Sequence, residues 1–137
     1  MKYSLSNSQL SLQELTAIVV HEAYQTYFAY GPGIFERVYE ASLAGRLRRR
    51  GLKVERQRKV YITDEFVTNE PAFVADIVVE DRLILELKSV QELHPVTWMQ
   101  LRSYLRLTGI DTGLLINFNC KVLKANIHRV YAHAKAA

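Results

Sequence analysis

The stretch Leu83-Ile84-Leu85-Glu86-Leu87-Lys88-Ser89-Val90, taken with Asp76 ten positions before Glu86, decides how this chain is read. In an extended strand, side chains two apart leave the same face. Leu83, Leu85 and Leu87 therefore point one way and Glu86 and Lys88 the other. Asp76 lies in a second strand-like run, Phe73 to Val79, and Glu80-Asp81-Arg82 separates the two. If these three residues close an antiparallel hairpin, Asp76 faces Glu86 at roughly 5 Å between Cβ atoms. Two carboxylates so close repel unless a cation or Lys88 compensates them, and hard oxygen donors on a rigid sheet suit Mg²⁺. A strand with one wet face carries charges at the same spacing, so the triple alone leaves both readings open.

Composition narrows the classes. At 137 residues the chain is expected to form one domain, residues 1–137, with a core of its own. Its apolar residues are interrupted too often by charges for a run of roughly 18, the length a membrane-spanning helix needs. Met1-Lys2-Tyr3-Ser4-Leu5-Ser6-Asn7 lacks the apolar centre of a signal peptide. The single cysteine, Cys120, can form neither an internal disulfide nor a thiolate zinc site with other cysteines. A soluble, cytoplasmic protein is expected, with no membrane partner.

The net charge of +4 is unevenly placed. Arg46, Arg48, Arg49, Arg50, Lys53, Arg56, Arg58 and Lys59 stand against the single acid Glu55, a local excess that suits a polyanion such as a nucleic-acid backbone. A solvated helix end with arginines favoured by the dipole would look the same.

Two helices precede the strands. Ser11-Leu12-Gln13-Glu14 has the capping-box pattern, with Leu12, Leu15, Val19 and Ala23 at helical spacing, and the helix is expected to end near Tyr30 before Gly31-Pro32-Gly33. A second helix is expected from about Ile34 to Arg50, with Phe35, Tyr39, Leu43 and Leu47 in one row and Gly51 as its stop. Strands follow at Lys53 to Gln57, Lys59 to Ile62, Phe73 to Val79 and Leu83 to Lys88. A helix from Pro95 to about Leu107, a buried strand from Thr112 to Phe118 and a last strand from Asn126 to Tyr131 complete the order. The result is an α/β chain: a mixed sheet packed against helices.

Three further polar residues share this frame. Gln100 and Tyr104 lie four apart on the Pro95 helix, and Glu36 stands in the first turn of the second helix, where an anion is favoured. The segment Gly33-Ile34-Phe35-Glu36-Arg37-Val38-Tyr39 reads GxxExxY, and with Asp76, Glu86-Leu87-Lys88 and Gln100 through Tyr104 it resembles the GxxExxY family of the PD-(D/E)XK nuclease superfamily. The resemblance extends over nearly the whole chain after the first helix. One departure is Thr26-Tyr27, where relatives carry Val-His.

That resemblance implies a restriction-endonuclease-like mixed β-sheet core flanked by α-helices, and a Mg²⁺-dependent nuclease, with Mn²⁺ as a substitute ion and DNA the expected nucleic acid. It implies Asp76 and Glu86 as metal ligands with the Leu87 carbonyl, and Lys88 beside them. It further implies Glu36 as a helix-borne acid contributing to the metal, and Gln100 and Tyr104 at the edge of the site. The basic residues from Arg46 to Lys59 would grip the nucleic-acid backbone without reading bases. His21, His94, His128 and His133 lack zinc-ligand spacing and read as structural or surface groups. The alternative is a non-catalytic nucleic-acid-binding or protein-interaction module that keeps the fold. Either reading leaves room for a homo-oligomer or an accessory partner protein.

Overall fold

The computed structural model describes residues 9–133. The elements are α1 (Leu12–Tyr30), α2 (Glu36–Arg49), β1 (Val54–Ile62), β2 (Glu70–Val79), β3 (Leu83–Lys88), α3 (Val96–Thr108), β4 (Thr112–Asn117), a short 3-10 helix (Leu123–Asn126) and β5 (Ile127–Tyr131). The five strands form one sheet in sequence order. All neighbours are antiparallel except β3 and β4, whose parallel pairing is made possible by the α3 crossover.

The helices divide between the two faces of this sheet. Leu15, Val19 and Ala23 of α1 and Tyr39, Leu43 and Leu47 of α2 bury the face formed by Ile77, Val79, Leu83, Leu85, Leu87, Leu114 and Ile116. Leu101 and Leu105 of α3 cover the opposite face, against Val78, Ile84, Leu115 and Val130. The alternation of β3 is thus used on both sides, and each fully buried Leu or Ile contributes roughly 1.5–3 kcal/mol. α3 lies close on the sheet because β4 offers it Gly113. A Cβ there would come within 3.1 Å of both the Ile84 carbonyl oxygen and the Leu101 side chain.

Helix ends follow the chemistry of their sequences. Ser11 Oγ accepts the Glu14 backbone N–H at 3.0 Å while the Ser11 N–H donates to the Glu14 carboxylate at 3.1 Å, a complete capping box. α3 ends at Gly109, in the left-handed region at φ 75°. α2 begins two residues later than the spacing around Ile34 suggests. The Ile34 N–H reaches the Tyr39 hydroxyl, and that hydroxyl donates to the Gly31 carbonyl at 2.6 Å. Tyr39 also stacks on Phe118, with centroids 4.4 Å apart, so the last residue of the GxxExxY motif clamps the inter-helix turn into the core.

One expectation is corrected. The two strands read as Lys53 to Gln57 and Lys59 to Ile62 are a single strand, β1. Pairing continues across the break, with Arg56 opposite Ile77 and Arg58 opposite Ala75, but Gln57 between them sits at φ 49°. The charge-rich run conceals the continuity because only Val54 of its nine residues is buried, which leaves no apolar alternation to mark a strand.

Candidate active site

The site lies where β2 and β3 part. Their pairing runs Val79↔Leu83, Val78↔Ile84, Ile77↔Leu85, the register that puts Asp76 and Glu86 next. There the Leu87 N–H goes to Asp76 Oδ2 at 2.9 Å, where a continued antiparallel ladder would offer it a β2 carbonyl. β2 changes phase at the same point: Ala75 joins the α3 side of the core, whereas Ile77, two residues on, joins the α1–α2 side. Asp76 is therefore held at a fork in the sheet.

The fork opens into a cavity of about 420 Å³. Glu36, Arg37 and Glu40 of α2 line it with Arg56 and Gln57 of β1, Asp76 of β2 and Leu87 of β3. Glu36 lies at the first residue of α2, and its Oε1 accepts the Ser89 N–H at 3.2 Å. Ser89 Oγ in turn donates to the Ile34 carbonyl at 2.7 Å, tying the start of the helix to the end of β3. Glu40, one turn further along α2, is buried. Its Oε2 accepts from Arg56 Nε at 3.0 Å and Nη2 at 2.9 Å, and its Oε1 accepts from Gln57 Nε2 at 2.5 Å. The Gln57 amide also reaches Asp76 Oδ1 at 3.4 Å.

Glu86 shows the electrostatics most clearly. Burial, and next the Asp76 charge, push its carboxyl up to about 8, against the opposing pull of Lys88. Burial also raises Asp76, although the Leu87 N–H and the Lys88 charge draw it down. The Tyr104 hydroxyl is raised by burial and then by the charges of Glu86 and Asp76. Its ring stacks on Phe73 at 3.8 Å, holding it over the same end of the sheet. Gln100, one turn earlier, is exposed, and Lys88 is half-buried.

Cation chemistry fits part of this set. Among the described residues, Glu86 Oε1 is buried with no hydrogen-bond partner, an acceptor for which a cation would compensate. No three His, Cys, Asp or Glu side chains of the described residues are grouped closely enough to hold an ion by themselves. Asp76 already accepts from Leu87 and Gln57, and a backbone carbonyl such as that of Leu87 is the further hard donor such a site would need.

Four of the eight basic residues of the band are paired with acids. Arg50 pairs with Glu22, Lys53 with Asp81 and Glu55, Arg56 with Glu40, and Arg58 with Asp81 and Glu55. Arg48 donates to the Val54 carbonyl and Arg46 to Ser42 Oγ, while Arg49 and Lys59 are exposed. Glu40 and Gln57 were not singled out by the sequence reading, although Glu40 lies four residues from Glu36, a spacing that brings both to one helix face. His94 accepts the Val96 N–H and His128 meets the edge of Trp98. Burial raises the Cys120 thiol, the reverse of an activated nucleophile. No helix is long and apolar enough to cross a membrane, among the described residues.

Comparison with known proteins identifies the pattern. The family model described as the PD-(D/E)XK nuclease superfamily matches residues 13–130, from the first turn of α1 into β5. The five-stranded mixed sheet with flanking helices is consistent with the restriction-endonuclease-like fold of that superfamily, whose nucleases typically use divalent metals. No curated protein and no solved structure matches the chain.

Proposed function

The chain belongs to the PD-(D/E)XK nuclease superfamily, and on that premise we propose that it hydrolyses phosphodiester bonds of nucleic acid, DNA in particular, with Mg²⁺ as its working ion and Mn²⁺ as a substitute. The observation that carries this reading is the Asp76–Glu86 pair, with Glu86 Oε1 buried and unpartnered. A purely structural sheet has no use for a buried carboxylate whose pKa is raised by burial and by a second carboxylate, Asp76, beside it. Asp76, Glu86 and the Leu87 carbonyl would hold the ion, with Glu36 contributing directly or through water. Bound there, the ion would neutralise phosphate charge and favour deprotonation of an attacking water.

The remaining roles belong to the side chains around it. Hydrolysis forms one P–O bond to water as a P–O bond to the sugar breaks, and the leaving oxygen must gain a proton. Lys88, whose charge acts on both Asp76 and Glu86, would orient the water and offset phosphate charge. Tyr104 and Gln100 would border the scissile phosphate from α3. Arg46, Arg48, Arg49 and Lys59 are the basic residues left for the nucleic-acid backbone, because Arg50, Lys53, Arg56 and Arg58 carry acidic partners.

The test is cleavage of single- and double-stranded DNA and RNA, including nicked, flapped and branched forms, with Mg²⁺ or Mn²⁺ and with a chelator. Metal-dependent cleavage lost in Lys88→Ala supports the enzyme. A wild type that binds metal and nucleic acid yet cuts none of these substrates is a binding module.

A further inference from the structure

Gln57 is the residue inside a strand that adopts a positive φ, 49°, among the described residues. Side chains other than glycine rarely take that conformation, and where they do a local requirement has overridden the backbone preference. The register on either side is unbroken, so no inserted residue forces the twist. What the twist accomplishes is visible at the amide, which reaches Glu40 Oε1 at 2.5 Å and Asp76 Oδ1 at 3.4 Å. Only the NH₂ end of a glutamine can face two carboxylates, so the orientation of this amide is fixed by its neighbours. Glu40 is itself fixed, since it is buried and its other oxygen is held by two nitrogens of Arg56.

We propose that Glu40 and Gln57 are positioning residues for Asp76: Arg56 anchors Glu40, Glu40 aims the Gln57 amide, and the amide holds Asp76 Oδ1 while the Leu87 N–H holds Oδ2. Arg56 is then a counter-ion inside the site and not a clamp on the nucleic-acid backbone. The inference rests on the nuclease reading, in which Asp76 is a metal ligand. Partners that orient a ligating carboxylate without touching the ion typically change metal affinity by 10–100-fold.

Gln57→Gly removes the amide with the rest of the side chain and, because glycine takes φ 49° freely, adds no backbone strain, so the melting temperature reports any packing that is lost. Calorimetric titration with Mn²⁺ should show affinity at least about tenfold weaker than wild type, with the melting temperature of the metal-free protein unchanged or higher. A lower melting temperature with wild-type Mn²⁺ affinity would mean that Gln57 merely packs, and overturns the proposal. Should Gln57→Gly lose both, Glu40→Gln carries the test: it keeps the shape but weakens the acceptor, and unchanged Mn²⁺ affinity in that variant overturns the proposal as well. If wild type binds Mn²⁺ and both variants bind it equally well, this inference alone fails. If wild type binds none, the nuclease reading fails and takes the inference with it.

Discussion

Asp76 Oδ2 accepts the Leu87 N–H at 2.9 Å, one step beyond the last β2–β3 pair, Ile77 and Leu85. A side chain has replaced a strand partner, so the residue proposed to hold metal also satisfies a buried backbone donor. Asp76→Ala would unpair that donor, at a cost of about 1–3 kcal/mol, besides removing a ligand. Loss of activity in such a variant would confound two effects. Glu86, with an oxygen that has no partner among the described residues, is the cleaner probe.

The first prediction follows from that freedom. Mn²⁺ or Mg²⁺ should raise the melting temperature of wild type, because a ligand bound only by the native state stabilises it. Glu86→Gln should lose most of this response. Scanning fluorimetry with and without metal decides the matter, and equal stabilisation of both proteins would remove Glu86 from the ligand set.

A second prediction concerns pH in the metal-free protein. Folding raises Glu86 from its ordinary 4.5 to about 8, so the unfolded chain ionises first as pH rises. The associated stability is fully present below about 4.5, is lost progressively above it, and is gone once pH has passed about 8. Glu86→Gln lacks this dependence. In chelator, its stability advantage over wild type should therefore widen between pH 4.5 and 8, to on the order of a few kcal/mol. Denaturant melts at several pH values measure it, and parallel curves would contradict the assignment.

Third, Lys88→Ala should separate binding from chemistry. Lys88 stands beside the proposed ligands and not among them, so Mn²⁺ affinity should change little. Removing one preorganised charged group typically costs on the order of 3 kcal/mol of barrier, about a hundredfold in rate. Single-turnover cleavage together with calorimetry gives both numbers. An equal loss in metal affinity would make Lys88 a structural counter-charge instead.

A fourth prediction sorts the basic residues by their partners. Neutralising Arg46 and Arg49, for which no acidic partner is found among the described residues, should flatten the salt dependence of duplex binding by roughly 0.9 per lost phosphate contact. Neutralising Arg58, paired with Asp81 and Glu55, should change that slope much less. Binding isotherms at several salt concentrations distinguish the two, and identical slopes for all variants would make this face a solvated helix end.

The sequence disclosed the strand that matters with its limits intact. Leu83 to Lys88 alternates cleanly, and Glu80-Asp81-Arg82 forms the turn, with Glu80 and Asp81 both in the left-handed region at φ 53°. The register follows from those two facts, as Ile77 opposite Leu85 shows. Neither the Glu40–Gln57 contact nor the pairing of half the basic band with acids was legible in the same way. Glu40 meets Gln57 across 17 positions, and Glu22, Glu40 and Asp81 reach the arginines and lysine from other elements. Charge counted along a chain omits counter-ions that only folding brings near. The single strand β1 was hidden for a related reason, since Val54 alone of its nine residues is buried and the charged run leaves little apolar alternation to read.

Gly113 leaves the α3 helix no spacer above the sheet, for a Cβ there would meet Ile84 and Leu101 at 3.1 Å. The height of Tyr104 over the fork is consequently set by backbone touching side chain, the stiffest kind of contact a core offers. Room for larger side chains on α3 is therefore found on its outer surface, at exposed positions such as Met99 and Gln100, while the floor beneath the helix stays level.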